Sequence, residues 1–144
     1  MLYVDSNVLI GTFELGLGGT ALAHALLMSS QDSPRFITSE ITVSEVLVAP
    51  FRSNDLDLVD FYHALFSQTV SLAVEPVTRG VLERAARLRA VSSMKLPDAI
   101  HVATAALTPC SILLSRDQRL FIPSGMRRLD PFAQPLDLAS LAKS

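Results

Sequence analysis

Four carboxylates stand at positions along this chain from which they could share one site. Asp5 follows the first apolar run, and Glu45 interrupts a helical stretch that is otherwise apolar. Asp98 opens a predicted helix, and Asp117 follows a second strand-like run. If the fold brings these side chains together, each close pair repels by roughly 4 kcal/mol at ~4 Å and an effective dielectric of about 20.

This repulsion must be neutralised, and the means of neutralisation predicts the chemistry. Protons could relieve it. Hard divalent cations with oxygen ligands do so more usefully, because they also act on phosphate groups. A carboxylate cluster without partner lysines therefore predicts Mg²⁺ or Mn²⁺ and phosphate chemistry.

The elements that must position these acids are short strands that alternate with helices. The strands are expected at residues 2–4, 35–38, 70–74, 112–114 and 127–129. Helices are expected at about residues 20–30, 56–67, 78–91 and 98–107, and residues 31–34 would end the first of them. Another helix would carry Glu45, with Thr38 or Ser39 as its cap and Pro50 at its end. A tail over residues 131–144 would contain one small helix.

The strands are continuous apolar runs, which is typical of a parallel sheet covered by helices on both faces. In such sheets, ligands bind beyond the carboxyl ends of the strands, near a topological switch point. Asp5 and Asp117 are expected just beyond two strand ends, and Asp98 is expected at a helix N-terminus. The sequence thus predicts an α/β fold with one site at that edge of the sheet.

The composition fits one globular domain over residues 1–144. Hydrophobic residues make up 49% of the chain and charged residues 18%, which argues against disorder. Cys110 is the only cysteine, so an internal disulfide and a thiolate metal site are excluded and a reducing cytoplasm is favoured. The N-terminus has no basic leader, and no apolar run approaches ~18 residues, so neither a signal peptide nor a membrane span is expected.

The net charge of −2 does not by itself indicate a nucleic-acid binder. If the four carboxylates are metal ligands, 10 of the 14 acidic residues remain against 12 Lys and Arg, which leaves a residual charge of +2. The surface outside the site would then be mildly basic. That charge is compatible with RNA contact without requiring it.

Three of the acids also have an ordinary structural explanation. Asp5 could simply cap the helix that follows it. Asp98 follows a proline, and this pair is common at the start of a helix, where an acid stabilises the helix by ~0.3–1 kcal/mol. Asp117 could be a turn residue.

Glu45 is harder to explain in this way. Its helix is predicted to be buried on all sides, and a buried carboxylate needs a partner. A salt bridge to Arg52 or Arg35 is the competing explanation.

Three further side chains lie near these acids. His101, one turn after Asp98, could contact phosphate or shuttle a proton, or it could be a core or dimer-interface histidine. Ser6 and Ser115 could hold a metal-bound water, although helix capping explains Ser6 equally well.

Two other features carry less information. The Gly-Leu-Gly-Gly stretch at residues 16–19 lacks both the dinucleotide-binding spacing and a P-loop lysine, so it is interpreted as a flexible turn. Basic residues could follow an RNA backbone, although such residues more often form a solvated face. They are Arg79, Arg84, Arg87, Arg89 and Lys95.

Four segments together carry a resemblance. They read LYVDSNVLI at residues 2–10, TVSEVL at 42–47, LPDAIHVATA at 96–105 and LSRD at 114–117. In this order they resemble the PIN domain, and more closely the VapC-type toxins of bacterial and archaeal toxin–antitoxin modules. The resemblance extends from residue 2 to about residue 129, and the block at 97–105 is its most specific part.

The resemblance implies a three-layer α/β/α sandwich around a parallel sheet and a Mg²⁺- or Mn²⁺-dependent endoribonuclease. Carried over by position, Asp5, Glu45, Asp98 and Asp117 become its acidic quartet, and Ser115 takes the place of a small hydroxyl residue. The resemblance further implies a homodimer and an antitoxin that blocks the active site, often with an Arg or Lys. The departure from the pattern is Arg116, a basic residue directly before the last acid.

The predicted reaction is hydrolysis of an RNA phosphodiester by a metal-activated water. Asp5 and Asp98 are expected to bind one cation directly, and Glu45 and Asp117 to complete its shell or help hold a second ion. A phosphoaspartate phosphatase is disfavoured because it would carry a second Asp where this chain has Asn7. A phosphoacceptor signalling domain would need a further acidic pair and a late lysine. A PIN-like module that binds RNA or protein without cutting it is the remaining alternative.

Overall fold

The computed structural model of the chain describes residues 1–28, 30 and 34–143. Its strands are β1 (Leu2–Val4), β2 (Phe36–Ser39), β3 (Leu72–Glu75), β4 (Ile112–Leu114) and β5 (Arg127–Leu129). They form one sheet in the order β3-β2-β1-β4-β5, and every neighbouring pair is parallel. The predicted parallel α/β fold is confirmed.

Helices cover both faces of the sheet. They are α1 (Ser6–Phe13), α2 (Ala21–Leu27), α3 (Ile41–Ser53), α4 (Leu56–Gln68), α5 (Arg79–Ala90), α6 (Leu96–Ala106) and α7 (Leu138–Ala142). Because side chains alternate along a strand, Leu2 and Val4 enter the core with α1–α4 and α7, whereas Tyr3 enters the core with α5 and α6. The predicted three-layer α/β/α sandwich is therefore also confirmed.

Strand order creates a switch point at β1. The chain passes from β1 to β2 and β3 on one side, and later adds β4 and β5 on the other side. Adjacent parallel strands whose connections leave in opposite directions open a crevice at their carboxyl ends. Asp5 and Ser115 are the residues that follow β1 and β4 at this crevice.

The start of α3 differs from the prediction, which was wrong about its cap. Thr38 and Ser39 belong to β2, and Glu40 is the N-cap residue, without a side-chain capping bond. The hydroxyl of Thr38 is already used, since it donates to the Val4 carbonyl oxygen at 2.8 Å. The same oxygen lies 2.7 Å from the Thr42 hydroxyl, so both contacts of Thr38 go to groups other than a helix N–H.

The end of α3 was also predicted wrongly, because Pro50 lies inside the helix. A proline inside a helix removes one i→i−4 hydrogen bond and crowds the carbonyl of residue i−4, which disfavours the helix around it. Here Asn54 takes the left-handed conformation with φ 55°, and the Asp55 N–H donates to the Pro50 carbonyl at 2.9 Å. These contacts end the helix one turn beyond the proline.

Other element boundaries shift by a few residues. Helix α2 ends at Leu27, and residues 31–33 of the predicted turn lie outside the described residues. Helix α6 begins at Leu96, so Asp98 is its third residue. No helix within the described ranges is long and apolar enough to cross a membrane.

The predicted C-terminal tail does contain its small helix, α7, and packs back on the core. Phe132, Leu136 and Leu138 contact the cluster formed by the helices on the α1 side of the sheet. The ring of Phe132 lies so close to α1 that a Cβ added at Gly11 would be 2.6 Å from its Cε2 atom. A glycine at that position is therefore required by the approach of the tail.

Candidate active site

Asp5 is fixed at the carboxyl end of β1 by hydrogen bonds to both of its oxygens. It is 5% exposed, and it is the N-cap of α1, where its Oδ1 accepts the Ser6 N–H at 2.8 Å. Its Oδ2 accepts the hydroxyl of Ser115 at 2.6 Å and the amide of Asn7 at 3.2 Å. The carboxylate caps a helix, as the structural explanation expected, and it also faces the residue that follows β4.

Asn7 ties the two strand ends together, a role that the sequence interpretation missed. Its Nδ2 donates to Ser115 Oγ at 3.2 Å, and its Oδ1 accepts the Arg116 N–H at 3.1 Å. From the other side, Arg128 donates to the Ser115 carbonyl oxygen at 2.7 Å. The only signal in the sequence was that an amide stands two residues after an acid that ends a strand.

Glu45 is joined to His101 and not to either arginine considered in the sequence. Its Oε1 lies 2.5 Å from His101 Nε2. The prediction that its helix is buried on all sides is wrong, since the Glu45 side chain is 32% exposed and Val48 is 42% exposed. The carboxylate therefore lies at the edge of the protein interior and has a nitrogen partner on α6.

His101 links Glu45 to Asp5. The ring is 1% exposed, its Nε2 lies 3.4 Å from Asp5 Oδ1, and its Nδ1 lies 2.7 Å from the hydroxyl of Tyr3. Burial lowers the pKa of His101, but the hydrogen bond with Glu45 and the charge of Asp5 outweigh burial and raise the pKa above its usual value. The buried ring has no direct access to a phosphate, so contact with Asp5 and Glu45 is its main feature.

Asp98 lies in the first turn of α6, where the helix N-terminus favours a negative charge. Its pKa is nonetheless raised, first by partial burial and then by the charges of Asp117 and Asp5, with a smaller contribution from Glu45. His101 opposes this rise. The negative charges of the other three members of the acidic quartet thus all raise the pKa of Asp98.

Asp117 follows β4 and is paired with Arg119, a contact that the sequence interpretation missed. Arg119 Nε lies 3.1 Å from Asp117 Oδ1, and Nη2 lies 3.4 Å from Oδ2. This hydrogen-bonded cation lowers the pKa of Asp117. The backbone N–H of Asp117 also donates to Ser115 Oγ at 3.1 Å, so one serine contacts the residues around both strand ends.

A cavity of about 200 Å³ opens beside two members of the quartet. Asp98 and Asp117 line it together with Lys95 and Arg119. Acids therefore stand next to cationic side chains at its wall. The four arginines of residues 79–89 are not among its lining residues.

The side chains fit a divalent cation by donor type and by charge. Carboxylate oxygens are the ligands that Mg²⁺ and Mn²⁺ prefer. The pKa of Asp98 is raised first by partial burial and then by neighbouring carboxylates, and a bound cation would oppose both effects. No three His, Cys, Asp or Glu side chains in the described part of the chain form a ready-made metal cage. His101 stands between Asp5 and Glu45 instead, and Arg119 holds Asp117.

Comparisons with known proteins agree with this geometry. The family model described as PIN domain matches residues 2–122. Among solved structures, a toxin–antitoxin complex from Klebsiella pneumoniae is 27% identical with a TM-score of 0.66, over 92% of this chain and 98% of that chain. A comparison with curated protein sequences gives no match.

Two further solved structures are similar in fold. FitAcB from Neisseria gonorrhoeae is 18% identical with a TM-score of 0.67, and the match covers 93% of this chain and 100% of that one. A sarcin-ricin loop cleaving VapC toxin from Mycobacterium tuberculosis is 20% identical with a TM-score of 0.62, covering 83% and 92%.

Proposed function

Because this chain belongs to the PIN domain family, we propose that it is a divalent-metal-dependent endoribonuclease and the toxin of a toxin–antitoxin pair, with residues 1–144 as one nuclease domain. The similarity to toxin structures supports a nuclease toxin. What supports the metal and RNA parts of the proposal is the set of contacts around Asp5, Glu45 and Asp117 and the cavity that Asp98 and Asp117 share. Ser115 donates to the Asp5 carboxylate and accepts the backbone N–H of Asp117, and His101 lies between the carboxylates of Asp5 and Glu45.

In this proposal the acidic quartet holds Mg²⁺ or Mn²⁺. Asp5 and Asp98 bind the cation directly, and Glu45 and Asp117 complete the shell. When bound, such a cation lowers the pKa of a water molecule and offsets charge on the phosphoryl oxygens.

The remaining residues orient the ligands and the substrate. Ser6 and Ser115 keep the Asp5 carboxylate aimed at the crevice, because each donates to a different oxygen. Lys95 and Arg119, on the wall of the 200 Å³ cavity, offer positive charge to the backbone of an RNA strand. Arg119 would exchange its carboxylate partner for a phosphate when RNA enters.

Three partner relations belong to the same proposal. A cognate antitoxin would bind near the quartet and block it, as the match to a toxin–antitoxin complex suggests. Two copies of the chain would form a homodimer, which the mass of the purified protein in solution tests directly. The RNA substrate implies that the protein acts in the cytoplasm.

The test is cleavage of total cellular RNA by purified protein, with Mg²⁺ or Mn²⁺ and with EDTA. Discrete fragments are expected only with the metal, and Asp98→Asn is expected to abolish them while the circular dichroism spectrum stays unchanged. Asp60→Asn is the matched control, since Asp60 is an exposed acid on α4 and the same change of acid to amide should leave cleavage intact.

Cleavage that persists with EDTA would contradict the metal requirement. Unchanged cleavage by Asp98→Asn would remove Asp98 from the site. A folded, inhibitor-free preparation that cuts nothing would favour the module that binds RNA or protein without cutting it.

A further inference from the structure

Tyr3 places a hydroxyl group where the protein interior gives no packing reason for one. The residue is fully buried in β1, on the face that packs against α5 and α6. Its register partners on the two neighbouring strands are Ile37 and Leu113, and both are apolar. Because a buried phenol must find hydrogen-bond partners, the hydroxyl points to a polar role.

The hydroxyl lies within hydrogen-bond distance of a backbone donor and of a ring nitrogen. Its oxygen accepts the Ser39 N–H at 3.1 Å and lies 2.7 Å from His101 Nδ1. An N–H can only donate, so the phenolic proton is free to point at the ring nitrogen. In the neutral imidazole, a phenolic proton directed in this way makes Nδ1 the acceptor and leaves the ring proton on Nε2.

This tautomer directs an N–H at the carboxylates. His101 Nε2 lies 2.5 Å from Glu45 Oε1 and 3.4 Å from Asp5 Oδ1. A hydrogen-bonded series thus runs from the backbone of Ser39 through Tyr3 and His101 to Glu45. It connects the sheet to an acid that stands on a different helix from the histidine.

We propose that Tyr3 is a positioning residue of the active site, which acts through His101 to hold the Glu45 carboxylate in its place in the acidic quartet. The inference rests on the proposed nuclease function and deepens it. Groups that orient metal ligands typically change metal affinity or activity by about 10- to 100-fold when they are removed. The hydroxyl of Tyr3 acts one step further away, so a loss of about tenfold is expected.

The test variant is Tyr3→Phe, which keeps the ring and removes only the hydroxyl. The first readout is the ¹⁵N NMR spectrum of the His101 ring in metal-free protein, at a constant pH above the raised pKa of His101, where the ring is neutral. Wild-type protein is expected to show Nε2–H with an accepting Nδ1, and the variant is expected to lose this pattern and populate both tautomers. This readout does not depend on whether the protein cleaves RNA.

The second readout is binding of Mn²⁺ alone, measured by titration calorimetry. Tyr3→Phe is expected to weaken Mn²⁺ binding about tenfold and to lower kcat with little change in KM, because the Lys95 and Arg119 surface is untouched. Tyr62→Phe is the matched control. It removes the hydroxyl of the other tyrosine in the chain, which is also buried but bonds Glu14, and Mn²⁺ binding should not change.

A double-mutant cycle tests whether Tyr3 acts through the histidine. In a His101→Gln background, Tyr3→Phe should cause no further loss of Mn²⁺ affinity, whereas independent roles would give additive losses. An unchanged ring spectrum with unchanged Mn²⁺ affinity in Tyr3→Phe would overturn the proposal. If that variant fails to fold, an Nδ1–H pattern in the wild-type spectrum would overturn it equally.

Absence of RNA cleavage by the wild-type protein would count against the nuclease function instead. In that case the ring spectrum still reports whether Tyr3 sets the tautomer of His101. The two failures are therefore distinguishable.

Discussion

The four carboxylates of the quartet differ in the groups that compensate their negative charge. Asp5 is surrounded by hydroxyl, amide and backbone donors, Glu45 faces an imidazole, and Asp117 faces a guanidinium. Asp98 has the helix N-terminus, and its pKa is raised. It is therefore the member for which an added cation would relieve the most unfavourable charge.

A second residue-scale effect concerns Tyr62, whose hydroxyl donates to Glu14 Oε2 at 2.5 Å. Burial raises the pKa of Tyr62, and the bond and charge of Glu14 raise it further. The folded protein thus keeps the phenol neutral at a pH where the unfolded chain ionises it. Stability from this group is complete below the ordinary tyrosine pKa of about 10 and is lost as pH rises above it.

The free energy of unfolding should therefore fall between about pH 9.5 and about pH 11, with a limiting slope of roughly 1.4 kcal/mol per pH unit for each such group. Urea denaturation of wild-type protein and Tyr62→Phe over this range is the measurement, and the variant should show the shallower decline. Parallel curves would mean that Tyr62 does not keep its proton in the folded protein.

At the scale of elements, the contact between α1 and the C-terminal tail leads to a prediction at Gly11. Replacing a helical glycine with alanine ordinarily stabilises by about 1 kcal/mol. Here the new Cβ would lie 2.6 Å from the ring of Phe132, so overpacking of about 1–3 kcal/mol should make Gly11→Ala destabilising instead. Thermal unfolding measures the difference.

Gly80→Ala is the control for this contact. Gly80 lies on α5, where a Cβ would meet nothing nearer than the Thr78 hydroxyl at 3.7 Å, so the helix propensity gain should appear undiminished. Gly11→Ala should recover stability when Phe132 is also changed to Leu. A stabilising Gly11→Ala would show that the tail is not packed against α1.

The same scale explains what the sequence could and could not predict. Continuous apolar strands predict a parallel sheet, and the sheet rule predicts that acids after β1 and β4 converge, so Asp5 and Asp117 were placed from local pattern alone. Contact between Glu45 and His101 depends on how α3 and α6 meet beyond the strand ends, which no periodicity encodes. Arg119 was missed because its partner is set by the path of a loop.

Helix boundaries were missed for a related reason. Thr38 is of a residue type that often caps helices, but its hydroxyl bonds the neighbouring strand instead. Pro50 is of a residue type that often ends helices, but the residue in left-handed conformation that ends α3 comes four positions later, at Asn54. At Thr38, a contact with the neighbouring strand overrides the preference of threonine for the N-cap. At Pro50, the helix continues past the proline for one more turn before it ends.

At the scale of the whole molecule, the charge that the proposed activity needs from the quartet lowers the stability of the metal-free fold. Because the pKa of Asp98 is raised, its charge destabilises the metal-free fold at neutral pH, and protonation or neutralisation relieves this. Asp98→Asn is therefore expected to raise the free energy of unfolding in EDTA while it abolishes cleavage.

Added metal should make wild-type protein more stable than Asp98→Asn, which reverses the order of stability expected in EDTA. Mn²⁺ at about 100 times its Kd should stabilise wild-type protein by about 2.7 kcal/mol, and the variant should gain little. Denaturation in urea with and without Mn²⁺ measures both effects, with Asp60→Asn expected to follow the wild type. A variant that is less stable than wild type in EDTA would contradict this account of Asp98.

The order of the strands also has a consequence for the synthesis of this protein. Strand β1 emerges first from the ribosome, but the serine that completes the Asp5 contact lies 110 residues further along the chain. A growing polypeptide thus lacks this contact until most of the chain has been translated. On the proposed function, RNA cleavage therefore begins only after synthesis of the chain has passed β4.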